Sequence, residues 1–505
     1  MLAKIQSVAV WGIEGYPVSV EIDISKGMPS VAIVGLPDQA VKESRDRIKP
    51  AIKNSGFEFP QSKITINLAP ADLKKEGSCF DLPVALGILA ARQMIPADVA
   101  SRFHFIGELA LDGSVRPVSG VLPMAMSVKQ SGGKFVVPKA NATEASVVGI
   151  EVYGIESLKE CVEFLTGKKE ILPYNVDWDE ILSIQNKYDI DFKEVKGQTL
   201  ARRAIEVAVA GAHNLLMIGP PGSGKSMIAR RVPTIFPPLT IEEAIEITKI
   251  HSVAGILDEG IVSTRPFRQP HHTVSDIALI GGGTIPKPGE ISLAHNGVLF
   301  LDELPEFHRD VLESLRQPLE DGKVSVSRAR GRIEFPSRFF LIAAMNPCPC
   351  GYYGDSRRPC RCTVPQIIKY RKKISGPLLD RIDIQIEVSG LGSKQLVSDS
   401  VSEHSESIRK RITRCRKIQQ ERFAGTGIFC NAHMNTKQIK QFCVLDDECK
   451  KFLENALEKM NLSARGYDKV VKVARTIADL EESEKISLSH IAEALQYRSF
   501  DRELW

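Results

Sequence analysis

A phosphate-binding loop is the clearest chemical signal in the sequence. It follows the apolar run 214–218 and consists of Gly219, Pro220, Pro221, Gly222, Ser223, Gly224, Lys225 and Ser226. Because glycine has no Cβ, the backbone N–H groups of such a loop can turn inward onto phosphate oxygens, and the N-terminus of the next helix adds partial positive charge. Lys225 can then reach the β and γ phosphates, and the Ser226 hydroxyl can bind Mg²⁺. The sequence therefore predicts a site for ATP and Mg²⁺.

Two acidic residues, Asp302 and Glu303, follow the apolar run Gly297–Leu301 downstream of this loop. A wholly apolar run is typical of a buried parallel strand, and ligands bind beyond the carboxyl ends of such strands. We expect Asp302 to hold Mg²⁺ and its water, and Glu303 to act as the general base on the attacking water. An apolar strand that ends in two acids is also common for structural reasons, but its position after a phosphate loop indicates ATP hydrolysis.

A third apolar segment, Phe339–Met345, ends at Asn346. A polar side chain at this strand end lies between the phosphate loop and the two acids, where it can orient water near the γ phosphate. In AAA+ ATPases this is the sensor-1 position, and we expect Asn346 to take part in catalysis.

The segment Gly376–Asp383 resembles the one that bears the arginine finger in the magnesium-chelatase and MCM branch of AAA+ proteins. The resemblance implies that Arg381 supplies charge to the nucleotide of a neighbouring subunit, which would require a ring or at least a dimer. The alternative is a helix-end arginine paired with Asp380 or Asp383. By the same resemblance, Arg465 is the sensor-2 candidate of the lid.

Four cysteines fall within a short segment: Cys348, Cys350, Cys360 and Cys362. Four thiolates suit tetrahedral Zn²⁺, so we expect a zinc site. The C-x-C spacing is less usual than C-x₂-C, and the alternatives are metal-free structural cysteines or redox chemistry. The segment 356–373 is rich in Lys and Arg and contains no acid, which favours contact with nucleic acid.

A basic β-hairpin is predicted over 322–336, where residues alternate on two arms. It carries Arg328, Arg330 and Arg332 against one nearby acid, Glu334. In related ring ATPases this hairpin projects into the central channel, where arginines can contact DNA phosphates without reading bases. The alternative is a solvated basic hairpin.

The adjacent His271 and His272 suggest a metal site at first sight. Adjacent residues rarely face one ligand together, and no third ligand is placed near them. We therefore expect a loop that lines a pore or an interface.

Bulk properties limit the class of protein. The 505 residues suggest about three domains, and the formal net charge of +4 argues neither for nor against nucleic acid. No apolar run approaches the ~20 residues of a membrane span, and no signal peptide is recognisable. Ten cysteines without an export signal predict reduced thiols and a cytoplasmic protein without a membrane partner.

Residues 1–168 read as an α/β domain, with a helix predicted from about Asp38 to Asn54 and another from Leu82. The domain resembles the proteolytic domain of Lon proteases, in which a lysine activates a serine. Here Cys79 aligns with the serine and Leu122 with the lysine, and a shift to Ser78 would still leave no lysine. A nucleophile without its base is a poor catalyst, so we predict a non-proteolytic scaffold.

The predicted fold class is α/β in three parts, with four segments along the chain. Residues 1–168 form the Lon-like domain (ribosomal S5 domain 2-like), 169–190 a linker, 191–390 an AAA+ P-loop NTPase core, and 391–505 a C-terminal helical lid.

Together these motifs identify the chain as similar to the ComM/YifB family of magnesium-chelatase-like AAA+ proteins, over essentially its whole length. The resemblance implies a homo-hexameric ring that drives branch migration of single-stranded or branched DNA in homologous recombination and natural transformation, with recombination proteins as candidate partners. Two other functions compete. A magnesium-chelatase remodelling subunit would need a porphyrin-handling partner, and an ATP-dependent Lon-like protease would need the missing base.

Overall fold

The computed structural model describes residues 1–176, 188–257, 260–283, 286–328, 331–355, 358–390, 402–460 and 463–498. These residues form two compact units. The first takes in the chain up to the gap after residue 176 and also Thr240–Ser263, and the second takes in the remainder.

The strands are, in chain order, β1 (Leu2–Trp11), β2 (Glu14–Ser25), β3 (Ser30–Val34), β4 (Lys63–Ala69), β5 (Phe103–Phe105), β6 (Glu108–Leu109), β7 (Val115–Arg116), β8 (Lys134–Pro138), β9 (Val152–Ile155), β10 (Leu215–Ile218), β11 (Phe267–Arg268), β12 (Gly281–Gly282), β13 (Lys287–Pro288), β14 (Val298–Leu301), β15 (Lys323–Arg328), β16 (Gly331–Pro336), β17 (Phe340–Met345) and β18 (Ile384–Glu387).

The α-helices are, in chain order, α1 (Gln39–Asn54), α2 (Asp81–Ala91), α3 (Ala97–Ala100), α4 (Val121–Ser131), α5 (Ala142–Ser146), α6 (Leu158–Leu165), α7 (Thr199–Gly211), α8 (Lys225–Arg231), α9 (Ile241–Ala254), α10 (Asp276–Ile280), α11 (Glu290–Leu293), α12 (Arg309–Ser314), α13 (Arg316–Asp321), α14 (Val364–Arg371), α15 (Gly376–Leu379), α16 (Ser405–Arg422), α17 (Thr436–Phe442), α18 (Asp447–Met460), α19 (Ala464–Leu480) and α20 (Leu488–Gln496).

The first unit is built on a mixed sheet with the strand order β3-β4-β2-β1-β5-β8-β9. β1 and β2 pair antiparallel from Leu2–Asp23 to Trp11–Glu14, whereas β5, β8 and β9 run parallel. The helix α2 is apolar on all sides and almost wholly buried, as expected for a core helix. The predicted helix from about residue 38 is observed as α1, and its N-cap Asp38 accepts a hydrogen bond from the Val41 backbone N–H.

The first unit also contains the residues that align with the Lon nucleophile and base. Cys79 is buried, and this burial raises the pKa of its thiol to about 12. The Ser78 hydroxyl donates a hydrogen bond to the Glu108 carboxylate. Leu122 is fully buried in α4. The surroundings of the two candidate nucleophiles therefore give no support to protease chemistry.

The second unit is built on a parallel sheet with the strand order β11-β14-β17-β10-β18. Every residue of β10, β14 and β17 is buried, which explains why these strands read as continuous apolar runs. Because the strands are parallel, their carboxyl ends lie along one edge. The predicted hairpin is also present, with β15 and β16 paired antiparallel from Lys323–Pro336 to Arg328–Gly331.

The C-terminal helices share one hydrophobic core with this sheet. Ile477 on α19 and Ile491 on α20 belong to the same buried cluster as Leu215 on β10 and Ala208 on α7. The described residues on both sides of the predicted boundary at 390/391 therefore form one compact unit.

The compact units differ from the predicted segments at a second point. The segment Thr240–Ser263, which contains α9, belongs to the first unit, although the predicted ATPase domain spans 191–390. Within that unit the Ser252 hydroxyl donates to the buried Glu144 carboxylate, and Lys249 pairs with Glu14 at 2.7 Å. Such long-range contacts leave no local pattern in the sequence. In the part of the chain that the structure describes, no helix has both the length and the apolar character to cross a bilayer.

A buried polar cluster centred on Asp479 joins the C-terminal helices. The Asp479 side chain is 1% exposed and receives hydrogen bonds from Arg422, from Arg475 (3.0 Å) and from the Asn431 amide (2.8 Å). Two guanidinium groups therefore depend on one buried carboxylate for neutralisation.

We expect Asp479→Ala to lower the free energy of unfolding by about 3–5 kcal/mol, because it leaves two buried guanidinium groups without their shared counter-charge. Urea denaturation of the two proteins measures this loss. The exposed Glu454 on α18 provides a control, since Glu454→Ala should change stability by less than about 0.5 kcal/mol. A loss below about 1 kcal/mol for Asp479→Ala would mean that both arginines find other partners.

Candidate active site

The phosphate loop connects β10 to α8 in a tight turn. Gly222 and Gly224 adopt φ values of +75° and +90°, which L side chains rarely take. Gly219 has a different reason to be glycine, because a Cβ there would lie 2.1 Å from the Val388 carbonyl oxygen next to β18. The helix α8 begins at Lys225, so its first N–H groups face the loop.

Lys225 lies inside the loop with its amine buried. Nζ donates to the carbonyl oxygens of Gly219 (2.7 Å) and Pro220 (3.0 Å), and it lies 3.4 Å from Asn346 Oδ1. Burial lowers the pKa of this amine to about 8, although the charges of Asp302 and Glu303 oppose the shift. The amine is surrounded by oxygen atoms and is partly desolvated, so a bound polyanion would stabilise its charged form.

Ser226 and Asp302 meet across the ends of two strands. The Ser226 hydroxyl donates to Asp302 Oδ2 at 2.6 Å, and the backbone N–H of Glu303 donates to Asp302 Oδ1 at 3.0 Å. A hydroxyl oxygen and a carboxylate oxygen this close together can both act as ligands of Mg²⁺, which prefers oxygen ligands. The structure therefore brings together the two residues that the sequence predicts as Mg²⁺ ligands.

Glu303 stands at the end of β14 in a left-handed backbone conformation, with φ +52°. Its side chain is half exposed, and Oε2 lies 3.5 Å from His272 Nδ1. The His272 ring packs on His271, with centroids 4.1 Å apart. Sequence reasoning missed this contact and assigned both histidines to a pore or interface loop. The contact follows from the topology of the sheet. β11 is the parallel neighbour of β14, and His272 comes after β11 as Glu303 comes after β14.

Asn346 follows β17, the strand between β10 and β14. Its side chain contacts Lys225, and the next residue, Pro347, accepts a hydrogen bond from Arg371 of α14. The sequence-predicted Lys225, Asp302, Glu303 and Asn346 therefore converge on one sheet edge.

Arg381 and Arg465 lie away from this group of side chains and have partners within the chain. The Arg381 guanidinium donates to the carbonyl oxygens of Arg316 and Pro377 and pairs with the Glu320 carboxylate. Its partner is thus neither Asp380 nor Asp383, the two candidates considered from sequence. Arg465 is 65% exposed and lies 3.4 Å from Asp380.

The arginine hairpin is described except at its turn. Arg332 is exposed, donates to the Ser325 hydroxyl at 2.8 Å and lies 3.2 Å from Glu334, which also pairs with Lys323. Arg330 lies outside the described residues, and of Arg328 only the backbone pairing with Gly331 is described.

The four cysteines predicted to bind zinc form one cluster. The Sγ atoms of Cys348, Cys350, Cys360 and Cys362 all lie within 4.8 Å of one another. Backbone N–H groups of Arg361 and Tyr352 donate to Cys350 and lower its pKa to about 6. Burial raises the pKa of Cys362 to about 12, the opposite direction to the shift of Cys350. The geometry and the donor set fit tetrahedral Zn²⁺.

Comparison with known proteins assigns the chain to a family. Residues 191–396 match the family described as magnesium chelatase, subunit ChlI. Residues 20–141 match subunit ChlI of Mg-chelatase, and residues 402–498 match the C-terminal region of the same subunit.

Individual relatives extend this match to the full length. Competence protein ComM of Haemophilus influenzae is 46% identical over 508 residues, with 100% of this chain and 98% of the relative covered. Protein YifB of Escherichia coli is 43% identical over 512 residues, with the same coverage of both chains. Lon protease 2 of Bacillus subtilis is 29% identical over 125 residues, 24% of this chain and 22% of its own. The chain belongs to the ComM/YifB family of magnesium-chelatase-like AAA+ proteins.

Proposed function

We propose that this protein is an ATP-driven DNA motor that works as a ring of six copies and migrates branched DNA during homologous recombination. Membership of the AAA+ family implies ATPase activity, and coupling to DNA is the added step. The observation that carries the proposal is the contact of Lys225 with Asn346 and of Ser226 with Asp302, in a chain whose hairpin β15–β16 exposes Arg332. The Haemophilus influenzae relative is named a competence protein, which fits a role in natural transformation.

The site supports a division of labour in ATP hydrolysis. Lys225 would exchange its loop carbonyls for the β and γ phosphates, and Ser226 and Asp302 would hold Mg²⁺, which neutralises phosphate charge when bound. Glu303 would accept the proton of the attacking water, with His272 close enough to orient its carboxylate. Asn346 would orient that water from the neighbouring strand. Each role uses a side chain at the carboxyl end of a parallel strand.

The ring is proposed because two basic residues lie outside this group of side chains. The Arg381 side chain is only 12% exposed, but its partner Glu320 is 56% exposed, so the guanidinium can leave for a stronger anion while the Glu320 carboxylate stays in contact with water. The γ phosphate of a neighbouring copy is such an anion, and a guanidinium supplied in trans is worth several orders of magnitude in rate. Arg465, exposed at the start of α19, would be the lid residue that reaches the phosphates.

DNA is proposed as the polymer because the hairpin presents Arg332 on an exposed arm. Arg332 is only partly neutralised, since Glu334 is shared with Lys323. Arg328 and Arg330 add two charges in sequence on the same hairpin. Guanidinium groups bind phosphate strongly and carry no base specificity there, as a motor that moves along any sequence requires.

Zinc is proposed as a resident metal of the cysteine cluster. Four sulfur donors within 4.8 Å match the tetrahedral Cys₄ sites that zinc occupies, and the C-x-C pairs bring two ligands from each side of the loop. Zinc would bind the cysteine loop into a fixed shape and take no part in hydrolysis.

ATP binding should weaken as the pH rises through about 8, because the Lys225 amine must be charged to pair with phosphate. With the free amine titrating near that value, the dissociation constant for ATP should rise roughly eightfold between pH 7.5 and pH 9. Calorimetric titration with a non-hydrolysable ATP analogue and Mg²⁺ measures this. Lys225→Arg is the control, since a guanidinium stays charged and should give a flat profile. A profile that rises equally in both proteins would assign the titration to another group.

Hydrolysis should require Glu303 and Arg381 from different copies. We expect Glu303→Gln and Arg381→Ala each to bind ATP and assemble, yet to lose at least about a hundredfold in turnover. In a mixed ring, some active sites combine the intact Glu303 of an Arg381→Ala copy with the intact Arg381 of a neighbouring Glu303→Gln copy. Random pairing should then restore about a quarter of the wild-type rate.

Steady-state ATPase assays of the two variants alone and mixed one to one test this. Light scattering of the same samples confirms that rings form. Mixed rings that assemble but stay inactive would exclude a role for Arg381 in trans.

DNA should stimulate hydrolysis through the hairpin arginines. Forked DNA should raise the ATPase rate of the wild-type protein, and the triple change of Arg328, Arg330 and Arg332 to Ala should abolish this stimulation without changing basal turnover. For single-stranded DNA, Arg332→Ala alone should reduce the slope of log affinity against log salt by about 0.7, the value for one lost phosphate contact. The exposed Lys417→Ala on α16 serves as a charge-matched control. An unchanged slope and stimulation would remove the hairpin from the DNA contact.

A further inference from the structure

We propose that the cysteine loop, Cys348–Cys362, is a structural support of the ATP site, so that metal binding by its four thiols sets the affinity for nucleotide. This inference rests on the proposed zinc site. It assigns to the metal a control over ATP binding that neither the family match nor the sequence motifs specify.

The start of the loop is continuous with the nucleotide site. Cys348 is fully buried and stands two residues after Asn346, whose side chain contacts Lys225. Gly351 packs directly against the phosphate loop, because a Cβ built on it would lie 2.6 Å from Pro221 Cδ and 2.7 Å from Pro221 Cγ. The cysteine loop therefore contacts both the phosphate loop and the strand end that carries Asn346.

The end of the loop returns to the same strand end. Cys362 is followed by α14, and the last turn of this helix carries Tyr370 and Arg371. Arg371 Nε donates to the Pro347 carbonyl oxygen at 3.1 Å, one residue after Asn346. The Arg371 guanidinium also lies over the ring of Tyr353 in the loop, 5.3 Å from its centroid. The helix that follows the loop is thus tied to Pro347, the residue between Asn346 and Cys348.

The thiols are the main cross-link inside this loop. Its described residues, 348–355 and 358–362, contain neither helix nor strand, so backbone hydrogen bonding alone fixes little of its shape. Four thiolates on one cation close the loop across its two cysteine pairs, and such metal binding is coupled to local folding. Without the cation, the loop would lose this closure, and the contacts of Gly351 with Pro221 and of Arg371 with Pro347 would loosen.

Two glycines of the loop allow a matched test. Gly351 and Gly354 have nearly the same left-handed backbone, with φ of +87° and +81°, so alanine strains both equally. Only Gly351 contacts the phosphate loop, since a Cβ at Gly354 would meet nothing within 4 Å. Gly351→Ala therefore adds a steric push on Pro221 that Gly354→Ala lacks.

The experiment measures metal content and nucleotide affinity in the same samples. Zinc is quantified by mass spectrometry, and ATPγS with Mg²⁺ is titrated by calorimetry, before and after zinc removal with 1,10-phenanthroline and after zinc is restored. We expect zinc removal to weaken ATPγS binding by roughly tenfold or more and zinc addition to reverse it, since displacements of about 1 Å in a site have effects of this order. Gly351→Ala should keep its zinc and weaken binding similarly, whereas Gly354→Ala should behave like the wild type.

Two results would overturn the inference. Zinc-free protein that binds ATPγS as tightly as the zinc-loaded form would show that the metal does not support the site. Equal affinities of the Gly351→Ala and Gly354→Ala proteins would show that the contact with Pro221 carries no effect. Wild-type protein that neither holds nor takes up zinc would instead refute the proposed zinc site itself, so the two failures are distinguishable.

Discussion

The parallel order of the second-unit sheet is the constraint on which the site depends. The phosphate loop follows β10, Asp302 and Glu303 follow β14, and Asn346 follows β17. The carboxyl ends of these three strands must lie at one edge of the sheet for the side chains to meet. An antiparallel neighbour would send one of these groups to the far edge of the sheet. Complete burial of β10, β14 and β17 fixes this order, because their apolar side chains are covered on both faces. The hydrophobic core thus determines where the charged groups stand.

The charged groups of the site find neutral hydrogen-bond partners within the chain. The Lys225 amine satisfies its hydrogen bonds with loop carbonyls, and Ser226 satisfies Asp302. Burial without these contacts would be costly for either charge. The same groups gain more from phosphate and Mg²⁺, since neutral carbonyls offset only part of the desolvation that lowers the pKa of Lys225.

Local patterns account for the parts that the sequence predicts well. The phosphate loop, the strand ends at Asp302 and Asn346 and the hairpin follow from residue type and period over short windows. Three features lay beyond such windows. The grouping of Thr240–Ser263 with the first unit rests on contacts such as Ser252 with Glu144. His272 approaches Glu303 because their strands are neighbours in the sheet. Arg381 pairs with Glu320, a residue far along the chain, instead of the nearby aspartates.

The backbone and the guanidinium of Arg381 are held by different partners. This difference bears on how the guanidinium could reach the nucleotide of another copy. Its backbone carbonyl accepts the Asn214 amide at 3.0 Å, and the same amide's oxygen accepts the backbone N–H of Leu341 in β17. The main chain is thereby fixed to the start of β10, the strand that leads to the phosphate loop. The guanidinium is held by an exposed carboxylate and two carbonyls, none of them buried with it in an apolar core. In the proposed ring, contact with a neighbouring nucleotide would therefore need rotation of this one side chain and no rearrangement of the sheet.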